Sequence, residues 1–130
     1  MILLDTDICI SLLRGNQAVI QHRKEYKGRV AVSFMTVAEL YYGAEKSANP
    51  VKNKMVVEQF LLTVNIINSS KAMMRRFGQL KSRLERLGIP LADADLFIAA
   101  TALETCEFLV TGNIKHFNRI EELKLANWMQ

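Results

Sequence analysis

Histidine and cysteine are scarce in this chain. Two of each occur in 130 residues: His22 and His116, Cys9 and Cys106. Neither cysteine belongs to a Cys-x-x-Cys pair or stands near a histidine at zinc-ligand spacing, which excludes a zinc site built on those residues. Cys9 lies among isoleucines and Cys106 just before an apolar run, where a thiol behaves as a small hydrophobe. Long apolar runs are missing too. None approaches the roughly 20 residues of a membrane-spanning helix, so no membrane partner is expected. No basic leader or cleavage site precedes the apolar segment at Ile2, so no signal peptide is expected and the expected location is cytoplasmic. Internal repeats, low-complexity tracts and linkers are absent. The expectation is one domain over residues 1–130, long enough to bury a real core.

Half of the residues are hydrophobic and 23% are charged, as in an ordinary globular protein. The net charge of +4 permits an acidic partner such as nucleic acid without requiring one. Basic residues gather at His22-Arg23-Lys24, at Arg75-Arg76 and at Lys81, Arg83 and Arg86. Most of these fit solvated helix faces.

The first informative stretch is Met1-Ile2-Leu3-Leu4-Asp5-Thr6-Asp7. Ile2 to Leu4 form an unbroken apolar run that fits a strand buried on both faces. Ile8 to Leu13 continue as a helix closed by Gly15, with Thr6 or Asp7 as its cap. Asp5 then stands where a buried strand gives way to a helix, the edge at which parallel α/β sheets bind ligands. Gln17 to Tyr26 follows as a helix and Arg29 to Ser33 as a second buried strand. Thr36 is expected to cap a helix through Glu45. Glu39 falls in its first turn, at capping-box spacing from Thr36. Pro50 suits the opening of the next helix, which runs to about Val64. Asn65-Ile66-Ile67 can form a short strand, and Ser69 or Ser70 caps a helix that ends at Leu87-Gly88. These two helices are expected as an added pair laid on an α/β core.

Residues Pro90 to Leu103 form a strongly apolar helix rich in small residues, yet Asp93 and Asp95 stand near its start. Asp93 suits a cap, since the helix dipole favours acids there by about 0.3–1 kcal/mol. Asp95 lies one turn ahead of Ile98 and Ala99 and shares their buried face. A buried carboxylate needs a cation, a metal or hydrogen-bond donors. Glu107 to Thr111 is a further buried strand that ends at Gly112-Asn113. Lys115 to Ile120 is a short connection, and Lys124 to Trp128 can add an edge strand. The alternation of strands and helices predicts a parallel α/β sandwich.

Asp5, Glu39 and Asp95 therefore fall at comparable edges of one fold, with Asn113 at a fourth. Oxygen-only ligands suit Mg²⁺ or Mn²⁺. Crowded carboxylates repel one another, and a divalent cation relieves the repulsion. A cation held in this way can orient a water and stabilise a phosphodiester under in-line attack.

Four segments, LLDTDICISLLRG, SFMTVAELYYGAEKS, GIPLADADLFIAATAL and FLVTGNIKHFNRIEELKLANW, together resemble the PIN-domain ribonucleases, and most closely the VapC toxins of toxin–antitoxin pairs. The resemblance runs nearly end to end, with the motifs in order and spacing. It implies a PIN-like three-layer α/β/α sandwich with a mainly parallel central sheet. It also implies Mg²⁺- or Mn²⁺-dependent cleavage of RNA, with transfer and ribosomal RNA among the targets, a VapB-like antitoxin and a homodimer. Carried over by position, Asp5 and Asp95 are the principal metal ligands, and Glu39 completes the site directly or through water. Asn113 occupies the family's fourth acidic position and removes one charge. Thr6, Thr36 and Thr111 match small hydroxyl residues that line such sites, as holders of water or as caps, and Asp93 stays as a cap or supporting residue. Arg14, Lys115 and Arg119 are the candidates for contacts with RNA phosphates, which position a strand without reading its sequence.

Two other readings compete. Asp5-Thr6-Asp7 after a strand also resembles the haloacid dehalogenase phosphatases. Cys9 stands where their motif has Thr or Val, and no convincing lysine motif follows. The neutral Asn113 also admits a PIN scaffold that binds RNA or a protein with weakened chemistry.

Overall fold

The computed structural model describes all 130 residues. In chain order the elements are β1 (Ile2–Leu4), α1 (Thr6–Leu13), α2 (Gln17–Glu25), β2 (Val30–Ser33), α3 (Phe34–Glu45), α4 (Pro50–Leu61), β3 (Asn65–Ile67), α5 (Lys71–Arg86), α6 (Asp93–Thr105), β4 (Leu109–Val110), α7 (Ile114–Phe117) and β5 (Leu125–Ala126). Five strands form one sheet in the order β3-β2-β1-β4-β5. Every neighbouring pair is parallel, with Leu3 in register with Ala31 on one side and Leu109 on the other. The chain moves from β1 outward to β2 and β3, then returns to the opposite side of β1 for β4. The carboxyl ends of β1 and β4 thus flank the point where strand order reverses, the usual place for a crevice in an open parallel sheet.

Side chains from alternate positions of β1 enter different cores, as the two-residue period of a strand requires. Leu3 joins Leu80 and Leu84 of α5, Leu96, Ile98 and Ala99 of α6, and Phe117. Ile2 and Leu4 join Ile8 and Cys9 of α1, Val19 of α2, Leu40 and Ala44 of α3, and Val57 of α4. The result is an α/β/α sandwich in which the two added helices, α4 and α5, lie one in each outer layer with β3 between them. Each fully buried Leu or Ile contributes about 1.5–3 kcal/mol, and the three side chains of β1 are wholly buried. Burial pushes the Cys9 thiol up, which keeps it protonated and unreactive.

Three helix starts differ from the sequence expectation. Asp5 itself occupies the amino cap of α1 and accepts the Thr6 N–H, so neither Thr6 nor Asp7 is the cap. α3 begins three residues early because the Ser33 hydroxyl accepts the Thr36 N–H. Thr36 is therefore not a cap, Glu39 lies beyond the first turn, and the Thr36–Glu39 capping box does not form. At α6 the cap position is Ala92, which offers no side-chain acceptor. Pro50 does open α4, behind the Asn49 cap, and Ser70 caps α5.

Candidate metal-dependent nuclease site

The site lies at the carboxyl edge of β1. Asp5 is 5% exposed and both of its oxygens are engaged. Oδ1 accepts the Thr6 N–H at 2.8 Å, and Oδ2 accepts the Thr111 hydroxyl at 2.8 Å. Thr111 follows β4 directly, so pairing of β1 with β4 delivers the hydroxyl to the carboxylate. These donors do not offset the environment. Burial pushes the Asp5 carboxyl up from 3.8 to about 7, with the Asp7 charge adding to it.

Glu39 is brought in from α3 by a run of hydroxyls. Thr36 is fully buried, and its Oγ1 lies 2.9 Å from that of Thr6. Thr6 in turn donates to Glu39 Oε1 at 2.7 Å. With its single proton directed at Glu39, the Thr6 oxygen accepts from Thr36, so donors run from Thr36 through Thr6 to the carboxylate. Two of the threonines marked in the sequence thus bind α1 to α3 through side chains.

Asp95 enters from the first turn of α6 with its side chain 25% exposed. The helix behind it has buried residues on every side, from Leu96 to Ala102. Phe97 fixes its orientation, stacking on Phe77 of α5 with ring centroids 4.2 Å apart and meeting Phe34 of α3 edge-on at 5.6 Å. Burial pushes the Asp95 carboxyl up, and His116, whose Nδ1 is 3.8 Å from Asp95 Oδ2, opposes this. Asn113 is exposed. Its backbone N–H bonds to the Thr111 hydroxyl, and its Nδ2 lies 3.0 Å from His116 Nδ1.

The other candidates are placed less centrally. Asp93 is exposed and pairs with Lys81 at 2.9 Å, so it neither caps α6 nor supports the acids. Arg14, at the end of α1, lines a groove with Thr6 and Glu39. Lys115 is exposed on α7. Arg119 donates to the Pro90 carbonyl at 2.7 Å, bracing the segment before α6.

The structure adds an acid that the sequence reading passed over as a possible cap. Asp7 Oδ2 accepts the Gly112 N–H at 3.0 Å, while Oδ1 is buried without a partner. Burial pushes the Asp7 carboxyl up as well. Its two-residue spacing from Asp5 was the available signal, read as capping because α1 starts there.

No three carboxylate, imidazole or thiol groups close on one point, so the acids line the crevice as an open set. Their chemistry still fits a hard divalent cation. The donors are oxygens, three carboxyls are held above their ordinary range, and one buried oxygen lacks any donor. Positive charge placed among them would meet all three conditions.

Acids lining the switch point of a parallel sheet suit the binding of a divalent cation, the donor set of a class of phosphodiester hydrolases. The PIN domain profile matches residues 2–123, and the chain belongs to that family. It is 37% identical to ribonuclease VapC2 of Haemophilus influenzae, an alignment covering 98% of this chain and 97% of that protein. It is 33% identical to the tRNA(fMet)-specific endonuclease VapC of Shigella flexneri, over 97% and 96% of the two chains. Among solved structures, VapBC2 of Rickettsia felis bound to a promoter DNA fragment contains a chain that superposes with a TM-score of 0.92. That match has 34% identity and covers 98% of this chain and 99% of the other.

Proposed function

We propose that this chain is the endoribonuclease toxin of a VapBC-type pair, cutting transfer or ribosomal RNA in the cytoplasm as a single PIN domain. The observation that carries the reading is that threonine hydroxyls hold the Asp5 and Glu39 carboxylates at one sheet edge, in a chain similar to VapC ribonucleases. Asp5 and Asp95 would hold Mg²⁺ or Mn²⁺, with Glu39 completing the site directly or through water. When bound, the cation supplies charge neutralisation and polarises water and phosphate. The residues do the rest. Thr111 and the Thr6 N–H fix the orientation of Asp5, the Thr36–Thr6 chain aims Glu39, and the packed α6 holds Asp95 rigid. Arg14 and Lys115 would meet phosphates of a strand crossing the crevice, a contact that positions RNA without selecting sequence. The Shigella flexneri relative, named for tRNA(fMet), favours transfer RNA as the substrate to try first.

A VapB-like antitoxin is the expected partner. A groove of about 620 Å³ between α1, α3 and α4 runs past Thr6, Arg14 and Glu39. Beside it, Val51, Met55 and Val56 are exposed on α4. An amphipathic segment laid there would cover apolar surface and reach Glu39. Ile66, Met74 and Leu87 are also exposed, and a homodimer would cover apolar surface of this kind.

The test is controlled expression in a bacterial host. Growth arrest should follow induction, with transfer RNA cut at one position, and both effects should disappear on co-expression of the antitoxin. Arrest without RNA cleavage would overturn the nuclease reading and favour a binding scaffold.

A further inference from the structure

We propose that Asp7 is a fourth carboxylate of the cation site, supplying the negative charge that Asn113 does not carry. The inference rests on the divalent-cation reading above. Asp7 stands two residues after Asp5 in the first turn of α1. It is anchored to the β4–α7 loop by the Gly112 N–H at 3.0 Å, directly beside Asn113. The approach is close, since a Cβ at Gly112 would lie 2.9 Å from Asp7 Oδ2 and the carboxylate would have to shift to admit it. Asp7 and Asn113 therefore occupy the same corner of the crevice, one bringing charge and the other none.

The second oxygen of Asp7 identifies the role. Oδ1 is buried and has no hydrogen-bond donor. A carboxylate serving as a loop anchor needs one oxygen on the Gly112 amide and leaves the other to water or to a donor. Here the other oxygen is closed off from solvent and receives no donor, and the groups acting on Asp7 include the Asp5 carboxyl within hydrogen-bonding reach and, more weakly, the Asp95 charge. An undonated buried carboxylate oxygen is costly. A cation shared with Asp5 and Asp95 satisfies it and the neighbouring carboxylates at once.

Asparagine separates the two roles. In Asp7→Asn the amide oxygen still accepts the Gly112 N–H, whereas the charge is lost. Mn²⁺ binding, measured calorimetrically on wild type, Asp7→Asn, Asp5→Asn and the double variant Asp7→Asn/Asn113→Asp, tests the proposal without RNA. Asp7→Asn should weaken Mn²⁺ binding on the order of 10- to 100-fold, the range seen when a carboxylate near a metal is lost. Its metal-free unfolding midpoint should be no lower than that of wild type. The double variant should recover most of the affinity, because Asp at 113 restores charge at the same corner. Unchanged Mn²⁺ affinity in Asp7→Asn alongside its loss in Asp5→Asn would overturn the proposal and leave Asp7 a loop anchor. Absence of Mn²⁺ binding in wild type, or binding unaffected in Asp5→Asn, would overturn the underlying cation reading and this inference with it.

Discussion

The Thr111 hydroxyl donates to Asp5 Oδ2 at 2.8 Å while accepting the Asn113 N–H at 2.9 Å. One oxygen thereby joins the most buried acid of the site to the loop that opens α7. Thr111→Val keeps the shape and removes both bonds. It leaves a buried carboxylate oxygen and a loop N–H without partners, at a cost of about 1–3 kcal/mol for such a loss. Urea unfolding of the metal-free variant should show that decrease, and its Mn²⁺ affinity should fall because Asp5 is no longer held in place.

Glu39→Gln should behave differently. The amide oxygen still accepts from Thr6, so the fold is retained and the unfolding midpoint stays close to wild type. RNA cleavage should fall on the order of 10- to 100-fold, as for the loss of a group that completes a metal site. A variant with full activity would remove Glu39 from the site.

Asp5 makes the metal-free protein sensitive to pH. Its carboxyl titrates near 7 in the folded chain against an ordinary value of 3.8. Between those values the folded state keeps a proton that the unfolded chain has lost. This contribution to stability is complete below pH 3.8, declines as pH rises and is gone above about pH 7. In EDTA the wild-type midpoint should drop across that window, and Asp5→Asn should flatten the decline. Excess Mg²⁺ should raise the wild-type midpoint at the alkaline end, where the carboxylate is free to bind it.

The three basic candidates should separate by assay. Arg14→Ala and Lys115→Ala should weaken RNA binding and make its affinity less dependent on salt, the signature of lost phosphate contacts. Arg119→Ala should chiefly lower stability, because its guanidinium holds the Pro90 carbonyl. Equal RNA affinity in all three variants and wild type would place the RNA path elsewhere.

Much of this arrangement was legible in the sequence, for physical reasons that can be named. Continuous apolar runs such as Ile2-Leu3-Leu4 are the mark of strands buried on both faces, and the structure buries all three residues completely. The parallel order followed from helices between strands. Asp5 and Asp95 were placed by the apolar runs they interrupt, whereas Glu39 was expected in the first turn of its helix and lies beyond it. Helix starts were less legible. Ser33 and Thr36 both suit caps, and local spacing did not show that the end of β2 runs directly into α3. Asp93 looked like a cap, yet Lys81 of the preceding helix α5 holds it in solvent. Asp93→Asn should therefore leave cleavage unchanged and alter stability by less than about 1 kcal/mol, as for exposed ion pairs. Asp7 was illegible for the opposite reason. Its importance comes from Gly112, 105 residues away, and no pattern within the first turn of α1 records that contact.

The most direct measurement is cleavage of purified transfer RNA by wild type and Asp95→Asn, with Mg²⁺, with Mn²⁺ and with EDTA. The account predicts discrete cuts that require metal and disappear in the variant, while both proteins unfold at similar midpoints. Cleavage that persists in EDTA, or that is undiminished in Asp95→Asn, would contradict it.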